Sequence, residues 1–407
     1  MDSTVRIPFH RPSIGREEID EVVRTLESGW LTTGPRTAQF EQEFREYVRA
    51  PHAQAVNSGT SGLHLALVAL NLGKGMEVIT TPLTFCSTVN VILHTGATPV
   101  LADVGSDGNI DPASVAARIT ERTRAIIPVH LAGLPCDMES IWALARKRGI
   151  QVIEDSAHAA GSYYRGSLIG ARNGMSGHCS DASVFSFYAT KNLTTGEGGM
   201  VTTHHDAVAE SLKTLCLHGM SKNAWNRYTG RGSWYYEVLR PGFKYNLTDI
   251  QSSIGLHQLR KLESFIEART RLVEVYNRAF LDVAELELPP DKRDCRHAWH
   301  LYMLRLNLET IEITRDEFIA ELNRKGIAVG VHFIPIPLHP FFSRFAHRPE
   351  NQCPQAMQLY PRLISLPLYP AMTESQVEYV TESVKAIARR ARRCKPIFVQ
   401  AVADQCG

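Results

Sequence analysis

Val152-Ile-Glu-Asp-Ser-Ala-His158 is an apolar run that ends on a carboxylate. It reads as a strand, Gln151–Glu154, that delivers Asp155 at its carboxyl end, with His158 three residues on. The same texture extends in both directions. From about 50 to 205, strand-like runs at Gln54–Val56, Glu77–Thr80, Thr98–Ala102, Ala125–Pro128, Ser183–Phe187 and Met200–Thr203 alternate with helical patterns at Thr60–Leu72, Phe85–Thr95 and Asp137–Arg148. Such alternation predicts an α/β domain on a mostly parallel sheet, in which sites form at the carboxyl ends of strands.

Before this region, residues 1–34 read as an entry arm. Its helix starts at Ile14-Gly-Arg-Glu-Glu-Ile and carries Ile19, Val22, Val23 and Leu26 at helical spacing, until Gly29 stops it. After it, residues 248–285 read as one or two long amphipathic helices. Past Pro289-Pro290 come a strand-like His300–Leu306, a helix at Arg315–Lys325, a strand-like Ile327–Val331 and a helix at Thr373–Ala388. The expected division is a large domain over 1–265, a small α+β domain over 266–388 and a tail over 389–407. Arg389-Arg-Ala-Arg-Arg393 is most simply a solvated helix end.

Composition narrows the function. The chain has 407 residues with 44 Lys+Arg against 42 Asp+Glu, a net charge of +2, which gives no electrostatic basis for nucleic-acid binding. No apolar run reaches the roughly 18 residues of a membrane span, and no signal pattern opens the chain. The 8 cysteines include no C-x-x-C pair, so a zinc ribbon is not expected; with no other metal signal, we expect no metal and a cytoplasmic protein.

Three segments carry chemistry. Asp155 suits a turn cap as well as a buried carboxylate that keeps a pyridine nitrogen protonated. His158 suits packing as well as function. Phe185-Ser-Phe-Tyr-Ala-Thr-Lys191 places a lysine after an apolar strand and before Gly196, Gly198 and Gly199. Most lysines are surface residues, but one in this setting can be desolvated and attack a carbonyl. Asn57-Ser-Gly-Thr-Ser-Gly62 puts small residues where a helix begins, which serves as a plain N-cap or as a phosphate cradle. The three together, in this order on successive strand ends, fit pyridoxal 5′-phosphate (PLP).

With these segments in view, the chain resembles the nucleotide-sugar aminotransferases of the DegT/DnrJ type, within the aspartate-aminotransferase-like fold type I. The resemblance runs from Gly29-Trp-Leu-Thr-Thr-Gly-Pro35 to Ile364-Ser-Leu-Pro-Leu-Tyr-Pro370. It is closest at Thr123–His130, Val152–Gly161, Pro241-Gly-Phe-Lys-Tyr-Asn-Leu-Thr-Asp249 and Ala298-Trp-His300, where it looks most like the branch that makes UDP-4-amino-4-deoxy-L-arabinose. The resemblance implies that Lys191 forms the Schiff base with PLP and shuttles the proton, that Asp155 pairs with the pyridine nitrogen, and that His158 lies near the ring hydroxyl. It implies that Phe85 stacks on the ring, where the similar enzymes have tryptophan. Gly59, Thr60, Ser61 and Ser186 would hold the phosphate. Asn246 would reach it from the neighbouring subunit of a homodimer with shared active sites. His332 would approach the sugar, with Trp30, Thr33, Arg231 and Lys244 as further substrate candidates.

The implied reaction moves an amino group from L-glutamate to a keto sugar on a nucleoside diphosphate, UDP-linked and at C4, with C3 as the alternative. Segments Arg227–Glu237 and Phe333–His339 depart from the family pattern and bear on the substrate. Sugar dehydratases of the same fold carry histidine where Lys191 stands here. A PLP-binding regulator without turnover is the rival from another class.

Overall fold

The computed structural model describes residues 6–221, 235–345 and 349–393. Its centre is a seven-stranded sheet built from β1 (His52–Val56), β2 (Glu77–Thr80), β3 (Thr98–Leu101), β4 (Thr123–Ile127), β5 (Gln151–Asp155), β8 (Ala182–Ser186) and β9 (Gly199–Thr203), in the order β1-β9-β8-β5-β4-β2-β3. Pairs β2–β3, β2–β4, β4–β5 and β5–β8 are parallel, while β9 runs antiparallel to both β8 and β1. The missing numbers, β6 (Tyr163–Tyr164) and β7 (Ser167–Leu168), form a small hairpin off this sheet.

Period-2 alternation explains why both faces are covered. Ile79, Val152 and Phe185 enter one apolar cluster, and their chain neighbours Val78, Ile153 and Val184 enter the other. Around the sheet lie α1 (Arg16–Glu27), α2 (Pro35–Val48), α3 (Gly59–Ala69), α4 (Ser87–His94), α5 (Pro112–Arg118), α6 (Met138–Arg148) and α7 (Asp206–Cys216). Phe40 and Phe44 of α2 meet Phe185 and Phe187 on one face, and Leu63 and Leu67 of α3 pack with Leu212 and Leu215 of α7 on the other.

One uninterrupted helix, α8 (Asp249–Phe280), follows. Thr248 starts it with a capping box to Gln251. Its N-terminal part, to Ile266, contributes Leu256, Leu259, Leu262 and Ile266 to the main core. Its second half contributes Leu272, Val273, Tyr276 and Phe280 to the C-terminal core. There, β10 (Leu286–Glu287), β12 (Tyr302–Leu306) and β13 (Leu363–Leu366) form an antiparallel sheet, and β11 (Cys295–Arg296) joins the β6–β7 hairpin. Helices α9 (Arg315–Arg324) and Glu374–Arg390 cover the C-terminal sheet.

Two sequence expectations are corrected. Ile19, Val23 and Leu26 do not face the core: each is about half exposed, and Glu18, Glu21 and Thr25 are buried instead. The inward face of α1 is polar because α8 meets it with polar partners. Glu18 takes hydrogen bonds from Gln258 and Lys261, and the Thr25 and Ser253 hydroxyls lie 2.6 Å apart. Segment Ile327–Val331 is not a strand. It makes two isolated bridges, Ile7 with Ile327 and Gly330 with Ser365.

Candidate active site

Three chain reversals meet at one edge of the sheet. β5 ends on Asp155, β8 ends on Ser186 and leads on to Lys191, and β1 turns at Ser58 into α3. The register sets Asp155 opposite Val184, and both Ser186 and Val56 opposite Gly199. A Cβ on Gly199 would lie 2.8 Å from the Gly59 nitrogen and 2.8 Å from the Phe185 oxygen, so only glycine lets the α3 turn approach β8 this closely. At that turn Ser58 Oγ accepts from the Ser61 amide at 3.0 Å, and the Gly62 amide bonds to the Ser58 carbonyl. The amides of Gly59 and Thr60 stay at the open, positive end of the helix, where an anion is favoured.

The cavity there has a volume of about 470 Å³. Gly59, Thr60, Ser186, Asp155, His158 and Lys191 all line it. The Asp155 carboxyl is pushed up by burial. Two donors partly offset this: Thr88 Oγ1 to Oδ2 at 2.8 Å, and the Ala157 amide to Oδ1 at 3.2 Å. Burial also brings the Lys191 ammonium down to about 8, against the pull of Asp155. About half of such amines are neutral at pH 8, against well under one in a hundred for an ordinary lysine. His158 accepts from the Ala132 amide at Nδ1, 3.2 Å, which leaves the ring proton on Nε2. Burial, then Lys191 and His332, hold that ring well below its usual pKa, so it is neutral.

His300 stands against His158, ring centroids 4.3 Å apart. The turn after β4 places it: His300 N donates to the Ala132 carbonyl, Ala298 N to the Gly133 carbonyl, and Asn192 Nδ2 to the Ala298 carbonyl. Gly133 has φ +97°, and a Cβ on it would lie 2.9 Å from the His158 oxygen and 3.3 Å from the His300 nitrogen. His332, whose Nδ1 is 2.8 Å from Ser365 Oγ, closes the cavity with Phe333. Burial lowers its pKa to about 4. Phe333 lies nearly parallel to His158 at 5.9 Å and meets Phe85 at 6.1 Å, with Phe85 at the mouth, 58% exposed.

The remaining sequence candidates gather elsewhere. Ser61 donates to Asn57 Oδ1 behind the turn rather than lining the cavity. Asn246 Nδ2 donates to Thr33 Oγ1, Lys244 Nζ to Asn246 Oδ1, and Trp30 Nε1 to the Thr33 carbonyl, in a cluster outside the cavity lining. Arg231 lies outside the described residues. Sequence reasoning gives no role to Thr88, which donates to Asp155, or to His300, which lines the cavity; Phe333 lines it at the start of a segment expected to bear on the substrate. Ala298-Trp-His300 had been marked as a close segment without a role; nothing in Cys86-Ser-Thr88 signals a carboxylate partner.

PLP asks for an anion cradle at one end of a flat ring, a carboxylate at its nitrogen and an amine at its aldehyde. The free α3 amides, the buried Asp155 and the desolvated Lys191 answer those demands in one cavity. The chain is 48% identical over 387 residues to the spore coat polysaccharide biosynthesis protein SpsC of Bacillus subtilis, covering 95% of this chain and 98% of SpsC. Its fold matches Spr1654 from Streptococcus pneumoniae in its PMP form with a TM-score of 0.87 at 35% identity, over 95% of this chain and 100% of that one. Spr1654 is also solved in a PLP form. PseC of Helicobacter pylori, an aminotransferase of pseudaminic acid biosynthesis, matches with a TM-score of 0.85 at 31% identity, over 94% and 99%. Residues 12–385 match the model of the DegT/DnrJ/EryC1/StrS aminotransferase family, so the chain belongs to that family and is a PLP-dependent sugar aminotransferase.

Proposed function

We propose that this enzyme transfers the amino group of L-glutamate to C4 of a UDP-linked keto sugar, giving 2-oxoglutarate and an amino sugar nucleotide, with C3 as the alternative position. The observation that carries the catalytic part is the desolvated Lys191 in one cavity with Asp155 and the open end of α3. PLP, when bound, supplies the electron sink that stabilises a carbanion. The protein does the rest. Amides of Gly59 and Thr60, with Ser186, would hold the phosphate. The Asp155 carboxylate would pair with the ring nitrogen and keep it protonated. Nε2–H of His158 would be a donor for the ring oxygen, and Phe85 would cover the ring. Lys191 Nζ would hold the cofactor and serve as the base that takes a proton from the donor Cα and gives one back. A base near neutral pKa suits both directions of that transfer.

Two features support a homodimer with shared sites. Asn246, Lys244, Trp30 and Thr33 form a hydrogen-bonded cluster outside the lining of the cofactor cavity. Beside it Ile19, Val23, Leu26 and Leu31 stand about half exposed, and covering them adds about 1 kcal/mol each. A second copy seated there covers the apolar face and brings Asn246 to the neighbouring phosphate and Lys244 to the substrate, with His332 on the sugar.

The test is the visible spectrum of the PLP-loaded protein before and after L-glutamate, followed by UDP-linked 4-keto and 3-keto sugars. Loss of the yellow band with glutamate, and its return with a keto sugar, supports the reading. A yellow protein that ignores glutamate removes glutamate as donor. Failure to take up PLP removes the site assignment.

A further inference from the structure

Three of the buried side-chain atoms without a hydrogen-bond partner gather behind the cofactor cavity: His10 Nε2, His300 Nδ1 and Arg269 Nε. His10 and His300 line a second, small cavity of about 20 Å³, with Phe9, Thr190, His332 and Leu368 around them. Arg269 is fully buried beside it, its Nη1 donating to the carbonyls of Leu368 and His300 at 2.6 and 3.4 Å. His300, His332 and Thr190 also line the cofactor cavity, so the two spaces share a wall.

A space of about 20 Å³ takes one water molecule, and such a water needs two to four polar partners. Leaving the ring nitrogens bare would cost about 1–3 kcal/mol each. Their hydrogen-bonding roles can be worked out. His10 makes a backbone hydrogen bond at Ala189 that favours its protonated ring, so the ring donates there. In the neutral ring the unpartnered Nε2 is then an acceptor. A water there, with the buried Arg269 cation on its oxygen side, would turn its two hydrogens to the unpartnered His10 Nε2 and His300 Nδ1. His300 would then carry its proton on Nε2.

We propose that His10 is a positioning residue of the active site: through one buried water it fixes His300 as the Nε2–H tautomer, so that His300 offers a second N–H donor to the cofactor cavity beside that of His158. The N-terminal segment holds His10 in place. Arg6 and Ile7 amides bond to the Gly326 carbonyl, Ala328 N returns to Ile7, and Phe9 stacks on His332 at 5.5 Å. The arm thereby becomes part of the catalytic wall. The proposal rests on that cavity being the PLP site.

The experiment is long-range ¹H–¹⁵N NMR of histidine rings in the PLP-loaded, histidine-labelled enzyme, with His300 assigned by His300→Asn. We expect an unprotonated Nδ1 on His300 in the wild type. In His10→Phe, which fills the space and lacks the acceptor, the two His300 nitrogens should move towards averaged shifts. The glutamate half-reaction should slow about tenfold, the worth of one neutral hydrogen bond, at unchanged PLP affinity. His10→Gln keeps an acceptor and a donor and should restore both. A protonated Nδ1 on wild-type His300, or an unchanged ring signature in His10→Phe with PLP bound, overturns the proposal. Failure of the wild type to bind PLP overturns the site assignment instead.

Discussion

Asp155→Asn should lower the rate of the glutamate half-reaction by about two to three orders of magnitude and leave the apo protein at least as stable as the wild type. The geometry separates the two effects. Asp155 Oδ1 accepts from the Ala157 amide, and an amide oxygen does the same. Oδ2 accepts from Thr88 Oγ1, which also lies 2.9 Å from Thr84 Oγ1. With an amide nitrogen in place of Oδ2, the Thr88 hydroxyl can turn to Thr84 and accept, so no buried group loses a partner. What disappears is the negative charge proposed to pair with the ring nitrogen. Breaking a buried ion pair by removing one charge costs about 3–5 kcal/mol, which is about two to three and a half orders of magnitude in rate when the pairing is needed at the transition state. Stability moves the other way. Burial raises the folded pKa of Asp155. Its contribution to the apo fold is therefore whole at low pH and is lost as pH rises through the folded value, so at neutral pH the carboxylate weighs against the apo fold and the amide does not. Stopped-flow absorbance of the PLP-loaded enzyme reads the first effect, and urea denaturation of the apo protein the second. A half-reaction within tenfold of wild type, with PLP bound, would refute the assignment.

Lys191→Ala should abolish turnover, by at least a thousandfold, and prevent borohydride from fixing PLP to the protein while some cofactor still binds non-covalently; a covalently reduced product in the variant counts against Lys191. Mixed dimers of Lys191→Ala with Asn246→Ala should recover part of the activity neither has alone, because one of the two sites is then intact; no recovery from two folded variants argues against sharing. Gly133→Ala and Gly149→Ala both place a side chain at positive φ, +97° and +62°. Only the former meets backbone atoms; no heavy atom lies within 4 Å of a Cβ on Gly149. Gly149→Ala should cost about 1 kcal/mol, and Gly133→Ala about 2–4 kcal/mol together with a slower half-reaction. Equal urea midpoints for the two variants would contradict the packing described around His300.

The sheet was legible because its strands carry their own burial code. Val152 beside Ile153, and Val184 beside Phe185, announce strands with two covered faces. The β6–β7 hairpin was not, since two-residue strands have no period to read. Helix α1 was read as a helix and turned the wrong way round. Its apolar stripe is real, but periodicity does not tell which neighbour a face meets, and here Glu18 and Thr25 meet polar positions of α8. The site divides in the same way. Asp155, His158 and Lys191 sit on or just after strand ends of the parallel sheet, so local pattern was enough to bring them forward; Ser186 came forward only through the family resemblance. Thr88 reaches Asp155, and His300 the cavity, by tertiary contacts through α4 and the turn at Gly133, which local pattern does not encode.

The continuity of α8 limits how such an enzyme can be recombined. At 32 residues and 1.5 Å each it is about 48 Å long, with Ile266 packed in one core and Leu272 in the next less than two turns later. A crossover point anywhere along it splits a helix whose halves must match different interiors. Chimeras that exchange substrate preference between relatives should therefore be joined in the loop before Thr248 or after Phe280, so that the whole helix travels with one parent; a junction near residue 266 asks two unrelated sets of side chains to agree on a single helical phase.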